Sequence, residues 1–169
     1  MSTTVQRVNF EPKSDLFLIQ TRDFPVADAT LLDPRGATAI VDGEWMLKNS
    51  DGKLIRASTI GTPGNAATLK SAPVWAELGR SDVQSIRKLT TFHLGIWEAD
   101  TRIFDAAAVV GGGAAITFIG QLLKVATITL GSRNYTGLVG AVASDIVVAT
   151  VADLPANNGG KLRIKAVAP

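Results

Sequence analysis

Asp42-Gly43-Glu44-Trp45-Met46-Leu47-Lys48-Asn49-Ser50-Asp51-Gly52-Lys53-Leu54 carries Asp-Gly twice, on either side of a short apolar run. Tight hairpin turns need positive φ, which glycine adopts without steric cost, so Asp-Gly between apolar runs is a strong hairpin signal. The stretch predicts a meander: Thr38 to Val41, a turn at Asp42-Gly43, Glu44 to Lys48, a turn at Asp51-Gly52, then Lys53 to Ala57.

Toward the C-terminus the same texture continues. Thr91 to Trp97 alternates, with Phe92, Leu94 and Ile96 on one face and Thr91, His93, Gly95 and Trp97 on the other. Arg102 to Ala107, Ala115 to Ile119, Leu122 to Leu130, Tyr135 to Val142 and Ile146 to Val151 follow, each bounded by turn residues. Asn157-Asn158-Gly159-Gly160 is a turn before a last strand, Lys161 to Val167, with Leu162, Ile164 and Ala166 inward and Lys161, Arg163 and Lys165 outward. Lysines on an outer strand resist pairing with strangers, so this basic cluster reads as protection of a sheet edge. Between the meander and these strands, Ser58 to Ala76 is a Gly/Pro/Thr/Ala loop, and the capping box Ser81-Asp82-Val83-Gln84 fits either a short helix from Asp82 to about Lys88 or a structured loop. Many short strands with little helix predict a mainly β fold, a compact β-barrel or sandwich.

Toward the N-terminus the texture changes. Residues 1–36 carry Pro12, Pro25 and Pro34 without a sustained period, and proline keeps such a segment extended. The expectation is an extended N-terminal arm over 1–36 and a β body over 37–169. Val5, Val8, Phe10, Phe17 and Phe24 on the arm are too apolar for a solvated linker and are candidate partner-binding residues. One buried phenylalanine contributes about 1.5–3 kcal/mol, so several would hold an arm in a neighbour's grooves.

Composition narrows the function. Of the 169 residues 46% are hydrophobic and 19% charged, below the roughly 25% charged share usual for soluble domains, so part of the surface is expected to be covered. The chain has no cysteine, which removes disulfides, thiol nucleophiles and cysteine metal sites together. A net charge of +2 is too small an excess, and its lysines and arginines too scattered, for nucleic-acid binding. The charge-free stretch from Ala106 to Leu123 is interrupted by Gly111, Gly112, Gly113, Gly120 and Gln121, so it reads as two strands joined by a glycine turn and no membrane span is expected. Met1 to Phe10 lacks the apolar run of a signal peptide.

No catalytic, cofactor or metal site is expected. His93 is the single histidine, and no Gly-x-Ser-x-Gly elbow accompanies it. Zinc would need more Cys or His than one. Glu98, Asp100 and Asp105 lack calcium-loop spacing. Glu98 with Glu77 or Asp105 could form a glycosidase pair, but an ion pair of the strand acids with Arg102 is the simpler account. Gly111-Gly112-Gly113 lacks the spacing of a phosphate loop and reads as a turn. Trp45, Trp75 and Trp97 are candidates for a carbohydrate platform, although their apolar contexts favour core packing.

Asp42-Gly43-Glu44-Trp45, Asp51-Gly52-Lys53-Leu54, Glu98-Ala99-Asp100-Thr101-Arg102-Ile103-Phe104-Asp105, Val147 to Leu154 and Gly160-Lys161-Leu162-Arg163-Ile164 occur in that order. In this the chain resembles the capsid decoration (cement) proteins of tailed bacteriophages, over most of its length after the arm. The resemblance implies a compact β-barrel, a homotrimer, the major capsid protein as partner, and a place on the capsid exterior of the virion. It implies capsid stabilisation and no cofactor. Other phage structural subunits (tail tube, baseplate or fibre) and a carbohydrate-binding β module are the alternatives. From Ala106 to Gly160 the only charges are Lys124, Arg133, Asp145 and Asp153, so this stretch is expected at the centre of an oligomer.

Overall fold

The Asp51-Gly52 turn closes as its residues require. Gly52 has φ +76°, and the Asn49 side chain accepts hydrogen bonds from the amides of Asp51 (3.1 Å) and Lys53 (2.9 Å). The turn joins strand β3 (Trp45–Lys48) to β4 (Leu54–Arg56), with Met46 opposite Arg56. The computed structural model describes residues 10–13, 20–33, 35–49, 51–56, 71–75, 87–94, 97–108 and 112–166. Among them the fold is mainly β: eleven strands, one turn of 3-10 helix at Ala29–Leu32, and no α-helix.

The strands form two antiparallel sheets. The first has the order β1-β7-β11-β10-β8-β9, with β1 at Phe10–Pro12, β7 at Glu98–Thr101, β8 at Leu122–Leu130, β9 at Arg133–Gly140, β10 at Ala149–Asp153 and β11 at Leu162–Ala166. The second has the order β2-β6-β5-β3-β4, adding β2 at Gln20–Pro25, β5 at Ser71–Trp75 and β6 at Lys88–Leu94. β3 connects the two cores because neighbouring residues on a strand face opposite ways. Trp45 packs with Phe10, Trp97, Leu123, Leu138 and Ile164 under the first sheet, while Met46 packs with Phe24, Leu32, Ile40 and Leu89 under the second.

β8 is buried on both faces over Leu123–Ala126, where Lys124 is the one polar residue. Leu123 and Val125 enter the first core; Ala126 and Ile128 join Ile103 and Val139 in a third cluster on the other side. The outer edge of β9 is covered. Leu138 exchanges backbone hydrogen bonds with Ile103 and Asp105, and Gly140 with Ala114. Close approach there needs glycine, since a Cβ at Gly137 would lie 2.4 Å from the Ile128 side chain and 2.7 Å from the Ile103 carbonyl.

Several expectations are corrected by pairing. Residues 38–41 are not a strand: the Asp42-Gly43 turn forms, but Ile40 donates its amide to the Leu31 carbonyl and β3 pairs with β4 and β5 instead. Residues 102–107 give only an isolated bridge at Phe104, and residues 115–119 give none; Ala114, just before them, makes a second isolated bridge, and Phe104 and Ala114 serve as the cover of β9. Lys88 is the first residue of β6, while residues 82–86 of the expected helix or loop lie outside the described residues. The segment read as an arm is extended but paired: β1 hydrogen-bonds to β7 and β2 to β6, so the boundary at residue 36 does not separate it from the body.

Candidate interaction surface

Among the described residues the exposed large hydrophobic side chains are Phe118 (58% exposed), Ile119 (60%), Leu122 (49%), Val142 (47%) and Ile146 (38%). All five come from the loops and strand ends at one end of β8, β9 and β10. Leu122 opens β8; its carbonyl accepts the Ala141 amide at 2.8 Å, and it lies opposite Thr150 of β10. Gly120, with φ +88°, turns the chain into β8 and donates its amide to the Val151 carbonyl at 2.8 Å.

Buried polar groups hold these loops. The Gln121 side chain accepts the Thr117 amide at 2.8 Å and donates to the Ala115 carbonyl at 2.6 Å, fixing the turn that displays Phe118 and Ile119. Asp145 accepts the Val142 amide at 2.6 Å. Its other oxygen meets Lys124 Nζ at 3.1 Å, and that ammonium also donates to the Gly112 carbonyl at 3.1 Å. Both partners of this ion pair are 10% exposed. The charges nearest the apolar side chains are therefore drawn inward and neutralised against each other. What remains outside in these loops carries no other charge and includes all five exposed large apolar side chains.

The residues predicted as partner-binding lie elsewhere. Phe10 is a core residue, edge-on to Trp97 with ring centroids 5.9 Å apart and packed against Gly43. Phe24 is buried in the second core, with Lys48 Nζ 5.1 Å above its ring. Neither is free to enter a neighbour, because each fills its own chain's core. Val5, Val8 and Phe17 lie outside the described residues. Trp45 and Trp97 are buried 6.4 Å apart, which removes both from any carbohydrate platform. The side chains of Trp75 and His93, and all of Glu77, lie outside the described residues.

The basic cluster is corrected too. β11 is an interior strand between β7 and β10, so Lys161 and Arg163 do not guard an edge. They meet acids on β7, the neighbouring strand, and on β1 beyond it. Arg163 Nε donates to Asp100 at 2.8 Å, Lys161 Nζ lies 2.9 Å from Glu11, and Lys13 bridges Glu11 (2.7 Å) and Asp100 (3.5 Å). Asp100 is paired with Arg163, while Arg102 is exposed. Burial pushes the Asp100 carboxyl up, but hydrogen bonds from Arg163 and Asn158 and the charges of Arg163 and Lys13 hold it below its ordinary value. The hydrogen bonds from Lys13 and Lys161 lower Glu11 likewise.

No group of three metal-ligating side chains occurs among the described residues, and none of their helices is long and apolar enough to cross a membrane. The surface at Phe118 to Ile146 was legible only in outline, as the low-charge stretch from Ala106 to Gly160. Which of its apolar residues face out depends on which strands cover them.

Over 115 residues, 68% of its length, the chain is 30% identical to a 3-phosphoshikimate 1-carboxyvinyltransferase of Streptococcus mutans. It spans only 25% of that enzyme. No family model matches the chain, and no solved structure matches it.

Proposed function

We propose that this chain is a non-catalytic structural subunit of a virus particle, a decoration protein that binds the major capsid protein and copies of itself on the outside of a phage capsid. The observation that carries the reading is the neutral apolar surface of Phe118, Ile119, Leu122, Val142 and Ile146. Isolated surface hydrophobics are ordinary, but five from the loops and strand ends at one end of a sheet are what protein interfaces use. In a symmetric contact each group meets its own counterpart or a nearby copy, so a charge-free patch avoids like-charge repulsion between copies. A trimer would bring three such ends together, in keeping with the resemblance to cement proteins.

The test is sedimentation of the purified chain, alone and with undecorated phage heads. Association of the chain with itself and with heads is expected. A chain that stays monomeric at micromolar concentration and leaves heads uncoated overturns the reading.

A second reading rests on the partial likeness to a carboxyvinyltransferase acting on 3-phosphoshikimate. Of the basic groups that could meet a phosphate, Lys13, Arg56, Lys124, Lys161 and Arg163 each sit on a carboxylate of their own chain. An assay for carboxyvinyl transfer by the purified chain decides it.

A further inference from the structure

Asn158-Gly159 is the one Asn-Gly pair in the sequence. Glycine after asparagine leaves the following amide nitrogen unhindered, which favours its attack on the side-chain carbonyl. The fold keeps that nitrogen available: Gly159 has φ +60°, is exposed, and a Cβ placed on it would meet nothing within 4 Å. Among the described residues its amide donates no hydrogen bond, although its neighbours do: Asn158 and Gly160 to the Pro155 carbonyl, Lys161 to the Asn158 carbonyl.

The Asn158 side chain is held in a charged setting. Its amide nitrogen donates to Asp100 Oδ1 at 2.9 Å and to the Lys161 carbonyl at 3.2 Å. Its carbonyl oxygen accepts from the Arg163 guanidinium at 3.3 Å. A cation on that oxygen stabilises the negative charge that develops there when a nucleophile adds to the carbon.

We infer that Asn158 is a site of spontaneous deamidation, and that its modification loosens the Asp100 network that fastens β1 to the first sheet. The Gly159 nitrogen forms a bond to Asn158 Cγ, the Cγ–Nδ2 bond breaks, and ammonia leaves with the former backbone amide proton. Water then adds to one carbonyl of the cyclic imide and reopens it, giving aspartate or isoaspartate at position 158. One water is consumed and one ammonia released. The product replaces a donor by a carboxylate facing Asp100, which is 3% exposed. Two carboxylates then share Arg163, and like charge disfavours the ionised form of both. Lys13, which bridges Glu11 of β1 and Asp100, loses part of its anchor.

The test incubates the full chain at mildly alkaline pH, beside a peptide spanning residues 153–163, with mass-spectrometric mapping over time. Conversion confined to Asn158, within an order of magnitude of the peptide's rate, is expected, and Gly159→Ala should suppress it in both. Retention of the amide in the folded chain while the peptide converts overturns the site. Asn158→Asp tests the consequence independently: its acid unfolding midpoint should move to higher pH than that of the unmodified chain. An unchanged midpoint overturns the link to Asp100.

Discussion

Glu44 Oε1 accepts the backbone amide of Thr136 at 3.0 Å, so a carboxylate at the start of β3 hydrogen-bonds to the covered edge of β9 in the other sheet. The Thr136 hydroxyl lies 3.3 Å from the same oxygen. The second oxygen takes the Val41 amide and Arg56 Nη2, each at 2.9 Å. Glu44 is wholly buried, so every one of these bonds replaces water it has lost. Arg133 of β9 and Arg56 of β4 both donate to the Ala39 carbonyl, adding a second tie between the sheets.

Removing Glu44 should therefore destabilise both sheets together. Glu44→Ala leaves the buried Thr136 amide and the part-buried Val41 amide without their acceptor and leaves Arg56 only the Ala39 carbonyl, with an expected loss of about 3–5 kcal/mol in denaturant unfolding. Glu44→Gln keeps the shape and loses the charge, so its loss should be smaller. If Glu44→Ala unfolds at the denaturant midpoint of the unmodified chain, the tie has no energetic role.

Asp100 predicts an acid limit. Its carboxyl is held below its ordinary value of 3.8, so the folded chain keeps it ionised where the unfolded chain would protonate it. The stabilisation is complete above that ordinary value and disappears as pH falls through the lowered one. Asp100→Asn should reduce stability at neutral pH and flatten the decline in stability below about pH 4. Parallel acid titrations of the two proteins, followed by far-ultraviolet circular dichroism, measure the difference. Equal slopes would remove Asp100 as the source.

Leu122 provides the test of the apolar surface. It is 49% exposed, so Leu122→Glu should change folding stability by no more than about 0.5 kcal/mol. Self-association and head binding should nevertheless fall sharply, because a carboxylate would have to be desolvated at each contact. Light scattering and thermal unfolding on the same sample separate the two effects. Intact assembly of Leu122→Glu would place the interface elsewhere.

Gly137 tests the close packing of β9. Ala at this position sets a methyl against Ile128 and the Ile103 carbonyl, and overpacking of this kind costs about 1–3 kcal/mol. Gly131, in the exposed β8–β9 turn, meets nothing within 4 Å, but its φ of +65° makes alanine strained there as well. The two substitutions should differ in one respect: only Gly137→Ala should disturb the cover of β9, visible as faster amide exchange at Leu138 and Gly140.

What could be read locally was read from short-range constraints. Leu122–Leu130 has the bounds its composition implied, Gly52 takes the positive φ its turn demands, and residues 157–160 form a turn carrying two positive-φ glycines. These follow from steric limits on φ and ψ and from side-chain spacing, which involve only neighbouring residues.

The sequence by itself determined a mainly β chain, its principal turns, an extended N-terminal segment and a low-charge stretch between residues 106 and 160. The tertiary structure alone decided which groups meet. It placed Phe10 beside Trp97, put β11 inside a sheet rather than on its edge, set Lys161 and Arg163 on Glu11 and Asp100, and left Phe118 and Leu122 outward. The reason is physical: a residue's backbone preference is local, whereas burial and ion pairing depend on strands brought together across as many as 150 positions, as with Glu11 and Lys161.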